Sequence, residues 1–131
     1  MRVVAGVLLA LVLVSGCGGD PPAKKFTVDG VVTLPGSVPG VKVGDSCGGS
    51  TYGVNDVGLG ATVTILDAAG KKVALGELGD GVADDITCKL PFKVTGVPDG
   101  GTVYTVQVGE SVDRDFKRSE ADNVGVVVGL D

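Results

Sequence analysis

Side chains able to do chemistry are few in this chain: three cysteines, some neighbouring carboxylates, and one polar and aromatic group in a glycine-rich loop. Carboxylates fall close together at Asp84 and Asp85 and again at Asp113 and Asp115. Two carboxylates can in principle divide acid and base roles on a glycan. Seven of the sixteen acids, however, lie beside Gly, and the acids fall in stretches that read as surface turns, where nothing would raise a pKa. The chain has no His, so Ser-His-Asp and Cys-His arrangements are excluded. Ser-x-x-Lys does not occur either, which removes that Ser/Lys nucleophile class. There is no Asp-x-Asp-x-Asp-Gly calcium loop, and the acidic turn Asp80–Asp85 reads as solvated. These residues argue against an enzyme, and no metal or cofactor is expected. The remaining polar cluster is Tyr52, Asn55 and Asp56, at the end of the glycine-rich loop Gly44–Gly53. That loop is no phosphate cradle, since no Gly-Lys-Ser/Thr follows it. It is a solvated loop or a recognition loop, and loops are where binding residues concentrate.

The three cysteines separate by context. Cys17 follows Arg2, an apolar run of twelve residues (Val3–Val14) and two small residues, Ser15 and Gly16. This is the layout of a secretory signal. Twelve residues are too few to span a hydrocarbon core, which takes about 20. The order aliphatic, small, small, Cys resembles the lipobox of bacterial lipoproteins. The resemblance implies that the Cys17 thiol carries a diacylglycerol and that the leader, 1–16, is removed just before it. The expected address is the extracytoplasmic face of a bacterial membrane, with the membrane itself engaged through lipid on Cys17. Cys47 and Cys88 are then left as a pair. In an exported protein such a pair points to one disulfide. Two Cys without His make a poor zinc site, and the spacing is not Cys-x-x-Cys.

Beyond the leader, 115 residues remain, enough for one domain with one core. Losing Arg2 leaves ten basic against sixteen acidic side chains, a formal charge of −6. This acidic balance, with no basic cluster along the chain, argues against nucleic acid and against attraction to anionic lipid. Residues 17–25 read as a tether: Gly18-Gly19-Asp20-Pro21-Pro22 cannot pack, and nine residues reach at most about 30 Å.

Residues 26–131 must position whatever site exists, and their periodicity is that of strands. Phe26, Val28, Val32 and Leu34 alternate with polar residues. Val41–Val43 suggests a short strand. Ala61–Leu66 and Lys71–Leu78 read as a hairpin about the turn Asp67–Gly70, with Val63, Ile65, Val73 and Leu75 on the apolar face. Ile86, Cys88, Leu90, Phe92 and Val94 give the strongest alternation, and Pro91 within it predicts an edge strand or a bulge. Thr102–Val108 and Asn123–Leu130 complete the set, the last with Val124, Val126, Val128 and Leu130 inward. Glu110–Ala121, charged and with Phe116 as its lone anchor, reads as an exposed crossing loop or short helical turn.

Six to seven short strands with Gly/Pro turns predict an all-β fold, a single antiparallel β-sandwich preceded by a cleaved hydrophobic signal helix. Gly60–Ile65 followed by Asp67–Val73, and Val97–Gly100 before Thr102–Val108, resemble the hairpin and closing loop of prealbumin-like or carboxypeptidase-regulatory-like sandwich domains. The whole layout resembles small uncharacterised lipoproteins of high-G+C Gram-positive bacteria. The expected role is a non-enzymatic binding or interaction module, with an envelope protein or glycan as partner and no nucleic acid. The alternative is a structural or accessory subunit of another envelope protein.

Overall fold

The computed structural model describes residues 24–36, 39–52, 54–110 and 112–128. The leader, Cys17, most of the tether and Leu130 lie outside the described residues. The described chain is mostly β, in two sheets that do not close into a barrel.

The period-2 runs become strands. Among the described residues there are nine: β1 (Lys25–Pro35), β2 (Ser46–Cys47), β3 (Thr62–Leu66), β4 (Lys72–Glu77), β5 (Gly81–Ala83), β6 (Thr87–Pro98), β7 (Val103–Val108), β8 (Val112–Lys117) and β9 (Val124–Val127). One sheet has the order β2-β5-β6-β1-β9 and the other β4-β3-β7-β8. Their inner faces share a single core built on Val28, Val32, Leu90, Val94, Val63 and Val106, all fully buried. A one-residue slip in any of these strands would turn its valines to solvent, so burial fixes the register.

The expected six or seven antiparallel strands are corrected in two ways. Two of the extra strands, β2 and β5, are too short to leave a periodic signal. The third is β8, discussed below. Nor is the fold wholly antiparallel, because β9 runs parallel to β1, pairing Gly30 with Val124 and Thr33 with Val127. A parallel partner needs a crossover. Here the chain leaves β8 in the other sheet and returns through a 3-10 turn, Arg118–Asn123, whose Ala121 is buried.

Pro91 does not mark an edge. Strand β6 lies inside its sheet, between β5 and β1. The proline is tolerated because of where its missing N–H would point. The Pro91 carbonyl accepts from Gly79 N at 2.7 Å, and N–H and C=O of one strand residue face the same side. That side is past the last β5 pair, Val82 with Lys89, where β6 meets only Gly79 and an isolated bridge between Leu78 and Phe92, so the proline forgoes at most one bond at the end of the pairing.

Four local expectations are also overturned. Leu75 is 66% exposed, because β4 pairs Ala74 with Ile65 and Gly76 with Val63, putting those two on the inner face. Gly76 is needed there, since a Cβ would come within 2.8 Å of Val94 Cγ2. Ile86 precedes β6 in an exposed bend and is 68% exposed. Val41–Val43 forms no strand, and Val43 is exposed in a turn where Lys42 N donates to Asp45. Glu110–Ala121 contains the edge strand β8, with Phe116 buried opposite Tyr104.

β8 and β9 are the neighbouring edges of the two sheets. Arg114 shares the face of Phe116 and reaches across to donate to the Gly125 carbonyl, while pairing with Glu120 at 3.4 Å. Val128 N bonds inward to Thr33 O, so by alternation the Gly125 carbonyl points outward from β9. Arg114 therefore occupies an acceptor that an open edge would offer to another strand.

Candidate functional site

The register sorts the loops into two groups. β1 starts at Lys25 beside Pro98 and ends at Pro35 beside Thr87. In the other sheet, Val103 pairs with Lys117 at one end and Val108 with Val112 at the other. Phe26 meets Tyr104 edge-on, with ring centroids 5.2 Å apart, which aligns the entry ends of both sheets. The chain enters at this end, where Lys24 O accepts from Asp99 N at 2.7 Å. The glycine-rich loop, the Asp84–Ile86 bend and the β7–β8 turn all lie at the far end.

The far end is built on the disulfide. Cys47 and Cys88 are bonded, with Cα atoms 6.0 Å apart and a sequence separation of 41. Cys47 pairs with Gly81, where a Cβ would meet Cys47 O at 2.2 Å and Cys88 Sγ at 3.0 Å. Only glycine lets β5 lie flat against the bridge. The loop then folds on itself through Gly49, whose N donates to Val57 O and whose carbonyl accepts from Val54 N at 2.7 Å. A side chain at 49 would strike the carbonyls of Val54 and Val57 at about 2 Å. Val57 is fully buried and plugs the loop into the core.

The three residues expected to recognise a partner are separated by this geometry. Asp56 is engaged in the fold: its carboxylate accepts from Glu110 N at 3.0 Å, holding the β7–β8 turn against the loop. Gly109, at φ +57°, is closely covered by Asp56, so the two positions are matched. Asn55 is exposed. Tyr52 ends a 3-10 turn, Gly49–Tyr52, and its side chain lies outside the described residues. The acidic turn is also occupied. Ser46 Oγ donates to Asp80 at 2.8 Å, and Asp84 pairs with Lys89 at 3.4 Å. The Asp85 backbone N–H and then Lys89 hold the Asp84 carboxyl below its ordinary value, the opposite of what a general acid requires. Asp113 and Asp115 lie on the outer face of β8, with Thr105 Oγ1 donating to Asp115 at 2.6 Å. Among the described residues no group of three or more His, Cys, Asp or Glu could hold a metal ion.

The entry end holds a cluster that sequence reading did not single out. Tyr104, 2% exposed, donates to Pro98 O at 2.9 Å and accepts from Gly101 N at 3.0 Å. It stacks on Phe116, and Arg118 lies 3.8 Å above the Phe26 ring. Arg118 Nε and Nη2 donate to the two oxygens of Asp99, each at 3.3 Å. A recess of about 580 Å³ opens beside it, lined by Thr102, Val103, Lys117, Arg118 and Ser119. The signal for this cluster was weak. Asp99 sits in an ordinary turn and Arg118 in a charged run, and only the register brings them together.

Hydrogen bonding to Arg118, then to the Gly100 N–H, holds the Asp99 carboxyl below its ordinary value. The folded chain then binds fewer protons than the unfolded one between the two pKa values, so stability rises with pH across that interval. The Asp99 contribution should be complete above about pH 4–5, where the unfolded carboxylate is ionised, and should vanish as pH falls through the lowered folded value. Urea midpoints of the natural chain and Asp99→Asn between pH 6 and pH 2 check this. The gap should be widest at pH 6 and should close in acid, and a gap that stays constant would contradict the assignment.

Comparison with known proteins found no matching family model, no similar curated protein and no similar solved structure.

Proposed function

We propose that this chain is a lipid-anchored extracytoplasmic protein whose β-sandwich holds a disulfide-stapled loop cluster away from the membrane as a non-enzymatic interaction module. The observation that carries the reading is polarity of placement. Lys24 and β1 enter at one end, and the loops around Cys47 lie at the other. The lipobox-like Ser15-Gly16-Cys17 supplies the anchor, residues 17–25 the tether and 26–131 the domain. Two or three acyl chains on Cys17 hold a protein stably where one would not. The two sheets around one core suit a sandwich of the prealbumin-like or carboxypeptidase-regulatory-like kind. The exposed residues of the far end, Asn55 among them, are those offered to an envelope protein or glycan. Asp56 is assigned to shaping that surface.

Crosslinking in intact cells, followed by mass spectrometry, tests both parts. Cys17→Ala should leave the membrane pellet and lose its partners. Crosslinks should map to 39–60, 84–86 and 109–110. Crosslinks confined to the sheet faces or the entry end would remove the module reading. Retention of Cys17→Ala in the pellet would remove the anchor. A single stoichiometric partner would favour the second reading, an accessory subunit, for which the covered β9 edge is the supporting observation: a chain that blocks strand addition joins others through its loops.

A further inference from the structure

Basic residues that are scattered along the sequence converge on one end of the fold. Six of the ten basic side chains after Arg2 do so: Lys24, Lys25, Lys71, Lys72, Lys117 and Arg118. Lys25 pairs with Pro98, Lys72 with Leu66 and Lys117 with Val103, all at the entry end of their strands. One recess is lined jointly by Asp67–Ala69 of the β3–β4 turn and by Pro98, Asp99, Gly101 and Tyr104, which places Lys71 and Lys72 next to the chain entry. The carboxylates there are fewer than the cations, and each is engaged. Asp67 caps its own turn by accepting from the N–H of Ala69 and Lys71, and Asp99 is matched by Arg118. Asp115 and Glu120 share a recess with Val103 and Lys117, but Asp115 accepts from Thr105 Oγ1 and Glu120 is matched by Arg114. The five lysines are exposed, and among the described residues none is in an ion pair. The far end is the reverse, with Asp45, Asp56, Asp84, Asp85 and Glu110 against Lys42 and Lys89. The expectation that the chain has no basic cluster is therefore corrected: the cluster exists, assembled from three separate pairs of residues.

We infer that this basic end docks on an anionic membrane surface and orients the protein, with the acidic far end directed outward. The charges lie where the tether ends, so the anchor confines them to within about 30 Å of the headgroups, and attraction takes hold once they come within a Debye length, about 8–10 Å. Repulsion of the acidic end from the same surface reinforces the orientation. The inference rests on the anchoring reading only for the route by which this end reaches the surface.

The test is lysine acetylation, read by mass spectrometry, on the full lipidated chain in vesicles of phosphatidylcholine alone or mixed with phosphatidylglycerol. Labelling of Lys71, Lys72 and Lys117 should fall about fivefold or more on the anionic vesicles, in line with the attraction of one Lys to such a surface. Labelling of Lys42 and Lys93 should not change, and raised salt should abolish the difference. Equal labelling on both vesicles would overturn the inference, as would protection centred on Lys42 and Lys93. A chain that washes off neutral vesicles carries no anchor, which removes that reading alone. The unlipidated full chain is then sedimented with anionic vesicles beside Lys71→Glu/Lys72→Glu/Lys117→Glu. Binding weaker by on the order of a hundredfold in the variant supports docking, and equal binding overturns it. The three positions are exposed, and an unchanged circular dichroism spectrum checks the variant's fold. Protection by soluble inorganic polyphosphate but not by vesicles would assign this end to an anionic polymer and overturn the membrane reading.

Discussion

Replacing Cys47 and Cys88 together by alanine should lower the free energy of unfolding by about 4 kcal/mol. The bridge closes a loop with a sequence separation of 41 that contains β3, β4 and β5. In the chain-entropy account this closure restricts the unfolded chain far more than the folded one. Cys88 is fully buried in the core, so its loss adds a small packing term in the same direction. A domain of this size has a stability of roughly 5–15 kcal/mol, so the loss is a large share of the whole. With a urea slope of about 1–1.5 kcal/mol/M the midpoint should fall by roughly 3 M. Equilibrium unfolding of the double variant, and of the natural chain under reductant, measures it. Coincident curves with and without reductant would show that the closed loop contributes nothing.

The second large effect is at Gly30, in the middle of β1. Its strand partner Phe92 lays its ring where a Gly30 side chain would stand. A Cβ there would lie 2.2 Å from Phe92 Cζ and 2.3 Å from the Val124 carbonyl. The ring could turn aside, but the Val124 carbonyl belongs to the β9 backbone and could move only with its strand. Gly30→Ala should therefore cost about 3 kcal/mol, and it should also loosen β9. Amide exchange of Val128, which donates to Thr33 O, reports the second consequence separately from global unfolding. Gly58→Ala is the matched control. Its φ is not positive, and a Cβ there meets nothing within 4 Å. It should change stability by no more than about 0.5–1 kcal/mol, in the stabilising direction. Equal losses at the two positions would show that the cost at Gly30 is not one of space.

The strands readable from sequence were those with a dry face and a wet one. β1, β7 and the buried valines Val124, Val126 and Val128 follow the alternation, as does β6 from Cys88 to Val94, while β3 points Val63 and Ile65 inward although Thr64 between them is buried too. β8 escaped because an edge strand needs little apolar surface. Phe116 is its one fully buried side chain, and Arg114, on the same face, looks in sequence like any surface charge. The inward placement of Leu75 failed because the irregularity between Ile65 and Leu66 shifts the hairpin by one residue, which no turn residue announces. Pro91 was read by a sound local rule, but the rule needed to know that β6 meets only a short isolated bridge on the side Pro91 faces. The disulfide was legible because cysteine arithmetic is discrete. The structural role of Asp56 was not, because its partner, the Glu110 amide, lies 54 residues away. The basic end shares that cause: three pairs of residues far apart in the chain meet only through strand order.

The five-stranded sheet guards its two flanks by unrelated chemistry. On one side the outermost strand is only two residues long and is fastened covalently at Cys47 to the buried Cys88. On the other, β9 is closed off by the Arg114 guanidinium resting on Gly125. The first closure responds to redox conditions and is indifferent to ionic strength, whereas the second, held in place by the exposed Arg114–Glu120 ion pair, weakens with salt and ignores thiols. A change in the surroundings of the protein would therefore release one flank at a time, and the sheet would come undone from opposite sides under opposite stresses.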